Sequence, residues 1–157
     1  MLASIIFAAT LNLSSMHQIG QGNLSWMFWD AYTATLYSKS PNFKRDSEFA
    51  LKLDYKLEID GADIAQRSID EMNKQHKLPP ELAAKWLAEM QQIFPDVNDK
   101  TSITGVNKPN YGAVFYKNGK KIGEIKDTEF AKRFFDIWLS PKTSEPELRK
   151  QLLGESK

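Results

Sequence analysis

Asp30 is the only acid in the aromatic run Trp26-Met-Phe-Trp-Asp-Ala-Tyr32. A carboxylate buried on such a strand has its pKa raised unless a donor satisfies it, which is the condition a general base or a ligand-orienting group needs. A strand-end or bulge position would instead turn Asp30 to water. Tyr55 lies on the apolar side of a second strand, where its hydroxyl must find a partner or a cavity. Arg67 sits in a helical stretch whose inward residues are Ile64 and Met72. Helical phase turns it sideways, towards a surface ion pair with Asp63, Asp70 or Glu71 rather than towards anion capture. Asp30 or Tyr55 would serve as base if the chain were an isomerase or lyase.

Other constellations lead away from catalysis. The two histidines, His17 and His76, have neither each other nor a carboxylate at metal-ligand spacing, so no metal is expected. There is no cysteine, which removes thiolate metal sites, disulfides and a cysteine nucleophile. Gly20-Gln-Gly22 reads as a turn, since no third glycine or helix follows to cradle a phosphate. Asp96 and Asp99 resemble a metal-loop fragment only superficially; Asp96 after Pro95 reads as a helix-exit turn. No cofactor motif is present. The aromatic stock is generous: nine phenylalanines, five tyrosines and four tryptophans, enough either to fill a core or to line a pocket for an apolar ligand.

The elements that must position these groups follow from periodicity. Residues 24–37, rich in aromatic and β-branched types, predict one long strand or two joined by a kink. From Phe49 the chain alternates: Phe49, Leu51, Leu53, Tyr55, Leu57 and Ile59 on one side, Ala50, Lys52, Asp54, Lys56 and Glu58 on the other. That is a half-buried antiparallel strand with a wet face. A helix is predicted over 62–76, with Ile64, Ala65, Ile69 and Met72 inward. Pro79-Pro80 starts another, which ends before Pro95. Strands at 101–106, 113–117 and 120–125 come next, the last two joined by Asn118-Gly119, a type I′ hairpin signal. Phe130, Phe134, Ile137 and Trp138 then make one stripe of a helix capped by Asp127 or Thr128 and stopped by Pro141. Ser144 and Glu147 have capping-box spacing, Pro146 suits a first turn, and Gly154 can end the last helix. The result is a single α+β domain with helices gathered against an antiparallel sheet.

Composition limits the partners. The chain has 157 residues, 41% hydrophobic and 26% charged, with 21 Lys and Arg against 20 Asp and Glu. A nucleic-acid groove wants a concentrated positive field, which this balance lacks. The apolar stretch 2–13 is too short for a transmembrane span, but resembles the apolar part of an export signal, followed by Ser14 and Ser15. Residues 1–15 are therefore expected to be a truncated signal segment and 16–157 the domain, in the periplasm or cell envelope. The alternatives are a first strand or a loosely packed tail, in a cytoplasmic protein. The oligomeric state is not encoded legibly.

Over residues 20–154 the chain resembles the bacterial chalcone isomerase-like family. The resemblance rests on Trp26-Met-Phe-Trp-Asp-Ala-Tyr32 with Leu36-Tyr37, Phe49-Ala-Leu-Lys-Leu-Asp-Tyr55, Ile93-Phe-Pro-Asp-Val97, Gly112-Ala-Val-Phe-Tyr116 with Asn118-Gly119, and the block from Phe134 to Gly154. It implies an open-faced β-sandwich, a curved antiparallel sheet with helices on one face and a cleft between them. It also implies either ring closure of chalcones or fatty-acid binding without catalysis. The plant enzymes place an arginine shortly before the first of these strands, a threonine on it, and a tyrosine at the start of the following helix. Here no arginine precedes Arg45, the threonine position falls near Met27, and no tyrosine lies between Tyr55 and Tyr111. An oxyanion would find none of those donors, so chalcone cyclisation is not expected. The expectation is a non-catalytic envelope protein binding an apolar small molecule or fatty acid through Trp26, Phe28, Asp30, Tyr32, Tyr55, Arg67, Tyr116, Phe134 and Trp138. The alternatives are an isomerase or lyase on another substrate and an interaction module with a closed cleft.

Overall fold

The alternating and aromatic segments of the sequence become six strands hydrogen-bonded in chain order. They are β1 (His17–Trp26), β2 (Trp29–Ser38), β3 (Phe49–Tyr55), β4 (Ser102–Lys108), β5 (Gly112–Lys117) and β6 (Lys120–Ile125). Every neighbouring pair is antiparallel. Four helices complete the fold: α1 (Gly61–Gln75), α2 (Pro80–Ile93), α3 (Thr128–Leu139) and α4 (Pro146–Leu152). This computed structural model describes residues 10–26 and 29–155, and the side chains of all of these except Trp26 and Trp29.

One face of the sheet carries the main core. Leu36, Phe49, Leu51, Phe115 and Ile125 point into it and meet Phe130, Phe134 and Phe135 of α3, Trp86 and Met90 of α2, and Leu148 and Leu152 of α4. Burying each large side chain contributes about 1.5–3 kcal/mol. The rings pack edge to face, as between Phe49 and Phe135 at 5.0 Å and between Phe94 and Phe115 at 5.0 Å. α4 lies along β1, α3 on β5 and α2 against β6, whereas α1 leans on α2 and α3. That arrangement leaves α1 standing away from β2 and β3.

The opposite face is less wet than alternation predicts. Lys52 and Asp54 do face outwards, paired at 3.8 Å, but Ala50 is fully buried with Val106, Val114 and Tyr116 in a second cluster. Leu11, Leu13 and Met16 pack against that cluster, and the Leu11 N–H donates to the Gly119 carbonyl at 2.8 Å.

Several local expectations need correction. Residues 24–37 form parts of two paired strands, with Trp26 opposite Trp29. Gly20 and Gly22 are not in a turn but within β1, where a Cβ would overlap the Gln151 and Leu152 carbonyls and the Gln151 side chain, respectively. The glycines let α4 approach the strand. The Ser144–Glu147 capping box does not form; the Ser144 hydroxyl donates to Glu71 Oε2 at 2.8 Å, and the α4 N-cap is Glu145. Asp96, expected in an exit turn, also accepts the Gly61 N–H at 2.9 Å and so caps α1 across the domain. Other signals hold. Asp127 accepts from Glu129 and Phe130 at the start of α3, and Asn118 and Gly119 both have positive φ (49° and 84°) in the β5–β6 turn.

Candidate ligand cleft

Because α1 rests on other helices rather than on the strands beneath it, a cleft of about 590 Å³ opens between α1 and the inner face of β2 and β3. That volume lies within the roughly 300–1,000 Å³ usual for small-molecule sites. Strand parity supplies the floor: Leu53 and Tyr55 alternate inwards on β3, and Tyr32 stands opposite Tyr55 in the β2–β3 register. Helical spacing supplies the roof, with Ile64, Arg67, Ser68 and Glu71 on one face of α1. One wall is Phe134, Ile137 and Trp138 from α3; Leu24, Phe94 and Ile103 close the depth.

Two phenols are the titratable groups of the interior. The rings of Tyr32 and Tyr55 meet edge to face, 5.6 Å between centroids. The Tyr32 hydroxyl accepts a hydrogen bond from Trp138 Nε1 at 2.8 Å, which leaves its own proton free to be donated. Burial pushes its pKa up to about 12, against the stabilising effect of that hydrogen bond and of Arg67. Tyr55 is 6% exposed, and burial followed by the neighbouring Tyr32 drives its pKa up as well. Its hydroxyl has no hydrogen-bond partner among the described residues, yet no fully buried side-chain polar atom there is left unpaired. The oxygen therefore opens onto the cleft. Ser68 is occupied, donating to the Ile64 carbonyl at 2.8 Å.

The mouth is acidic. Glu58, Asp60, Asp63, Asp70 and Glu71 line it together with a single cation, Arg67. Arg67 makes no ion pair within 4 Å among the described residues, contrary to the surface pair expected of it. Asp70 instead accepts from Gln66 at 2.9 Å, and Glu71 is taken by Lys74 at 3.4 Å and by Ser144. Burial, then Glu71, raises the pKa of Glu145, whose charge is also felt at the Tyr32 hydroxyl.

Of the residues singled out from sequence, Tyr32, Tyr55, Arg67, Phe134 and Trp138 meet at this cleft. Two do not. Asp30 lies at the β1–β2 end beside a register shift, its side chain 56% exposed, accepting from Ser25 at 2.8 Å and lying 3.8 Å from Lys56. The irregular pairing turns it to water and away from the cleft lining. Tyr116 has the opposite strand parity from Phe115 and belongs to the outer cluster, on the far side of the sheet. Phe28 and the Trp26 side chain lie outside the described residues. Sequence reading missed the acidic mouth and the roof residue Ile64 as a lining group. The signal was available: five acids fall between Glu58 and Glu71, and residues 64, 67, 68 and 71 share a helical face.

No group of three or more potential metal ligands occurs among the described residues, and no helix there is long and apolar enough to cross a membrane. The architecture matches the crystal structure of an Arabidopsis thaliana fatty-acid binding protein, with a TM-score of 0.68 over 94% of this chain and 90% of that one, at 14% identity. An uncharacterized protein of Haemophilus influenzae is 30% identical over 158 aligned positions, covering 99% of this chain and 77% of the relative. The profile described as chalcone isomerase-like matches residues 7–154. With the open antiparallel sheet, the helices on one face and the cleft between them, these matches establish that the chain belongs to the chalcone isomerase-like family.

Proposed function

We propose that this protein binds an apolar small molecule, a fatty acyl chain included, in the cleft under α1 and does not transform it. The observation that carries this reading is the composition of the cleft: an apolar interior with two neutral phenols and every ionised side chain at its rim. A few polar groups that orient a largely apolar ligand are the usual pattern of a binding site. Proton-transfer catalysis wants a group with a pKa near the working pH. Tyr32 and Tyr55 are both held above the ordinary phenol value, so neither is a base near neutrality. The fatty-acid binding described for the Arabidopsis structural relative is consistent with such a role. We extend the proposal to the cell envelope, on the strength of the apolar segment 2–13.

Native mass spectrometry of protein purified from its host should reveal a co-purified apolar ligand. Matched acyl compounds should raise Tm, since a ligand present at 100 times its Kd stabilises by about 2.7 kcal/mol. Absence of both effects would overturn the binding role. Incubation with a chalcone should give racemic flavanone only; enrichment of one hand would show catalysis. For location, recovery with the periplasm or membrane envelope is expected, and a purely cytosolic pool would refute it.

A further inference from the structure

The cleft offers donors inside and negative charge outside, and the combination constrains the polar end of whatever enters. Tyr55 is more than nine-tenths buried, its hydroxyl faces the cavity and is unspent among the described residues, and there the Tyr32 hydroxyl, committed only as an acceptor from Trp138, has a proton to give. Donors of this kind call for an acceptor oxygen on the ligand. The mouth carries five carboxylates and one guanidinium. Even beside Tyr32, Arg67 is opposed by Glu71 and Glu145. An anion entering the cleft would shed water and pass a mouth where carboxylates outnumber the one cation, Arg67, five to one.

We propose that the cleft selects an apolar molecule whose polar end is an uncharged carbonyl-type acceptor, held by Tyr55 and Tyr32, and discriminates against the carboxylate of a free fatty acid. The inference rests on the binding reading above and specifies the head group that reading leaves open. Arg67 then acts at the rim, limiting the repulsion between α1 and its own acids.

The test compares dodecanoate, dodecanamide and dodecane at neutral pH by competition against an uncharged naphthylamine dye. Dodecanamide should bind at least about tenfold more tightly than dodecanoate at low salt, and the gap should shrink as salt screens the mouth. Glu145→Gln, which removes one opposing charge, should narrow it too. Tyr55→Phe should weaken dodecanamide by roughly threefold to tenfold while leaving dodecane unchanged, an outcome that lost packing alone would not produce. An unchanged Tm of the unliganded variant verifies its fold. Dodecanoate binding as well as or better than dodecanamide overturns the head-group selection and leaves apolar binding standing. No binding of any of the three overturns both.

Discussion

At the residue scale, two buried indoles with similar chemistry separate core from cleft. Trp86 is fully buried, donates to Asp127 Oδ2 at 3.2 Å and packs on Phe130 at 5.4 Å. Trp138 donates to Tyr32 but turns one side to the cleft, so part of its surface already lacks packed neighbours. Trp86→Ala should therefore cost about 3–5 kcal/mol in urea unfolding, and Trp138→Ala less than about 3 kcal/mol. Equal losses would mean that the cleft is closed. The phenols give a second test through pH. A neutral acid whose folded pKa is raised stabilises the fold below its unfolded value, and that contribution is lost as pH rises through the folded one. For Tyr32 the window runs from about 10 to about 12. Denaturant midpoints should fall across it, and more gently in Tyr32→Phe than in the wild type. An identical slope in the variant would assign the fall to other groups.

At the element scale, caps show how local signals can be right in kind and wrong in address. Asp60 is the N-cap residue of α1, but its side chain makes no capping bond. Asp96, thirty-five positions beyond Gly61, accepts the Gly61 N–H instead. Asp96→Ala should cost about 1 kcal/mol and Asp60→Ala much less, measured by chemical denaturation. The reverse order would show that the interaction across the domain contributes little. Strands, helices and the Asn118-Gly119 hairpin were legible because each rests on spacing within a short window. Gly20 and Gly22 were misread for the complementary reason: turn and close approach favour the same residue, and α4, which decides between them, arrives some 130 residues later. Ser144 likewise had a distant competitor, Glu71, for its hydroxyl.

At the scale of the whole molecule, the site was only half legible. Parity and phase placed Tyr55, Phe134 and Trp138 towards the helices, but a cleft depends on α1 resting on α2 and α3 rather than on the sheet, which no single window encodes. Tyr116 was misassigned because an aromatic reads as core on either face, and the outer face has a cover of its own. That cover gives the last prediction. Thr10 bridges to Lys120, and Leu11, Leu13 and Met16 lie on Ala50, Val106, Val114 and Tyr116. A chain beginning at Met16 would lose Leu11 and Leu13, a loss of about 2 kcal/mol given that neither is fully buried. It would also uncover an apolar patch, read as increased binding of a hydrophobic dye. Acyl binding in the cleft should persist, since the patch and the cleft lie on opposite faces. If the apolar N-terminal segment is processed during export, N-terminal sequencing of the mature protein should place the cut before Leu11 rather than after Ser15. A stable mature form beginning at Met16, with no added dye binding, would show that these residues do not hold the outer face closed.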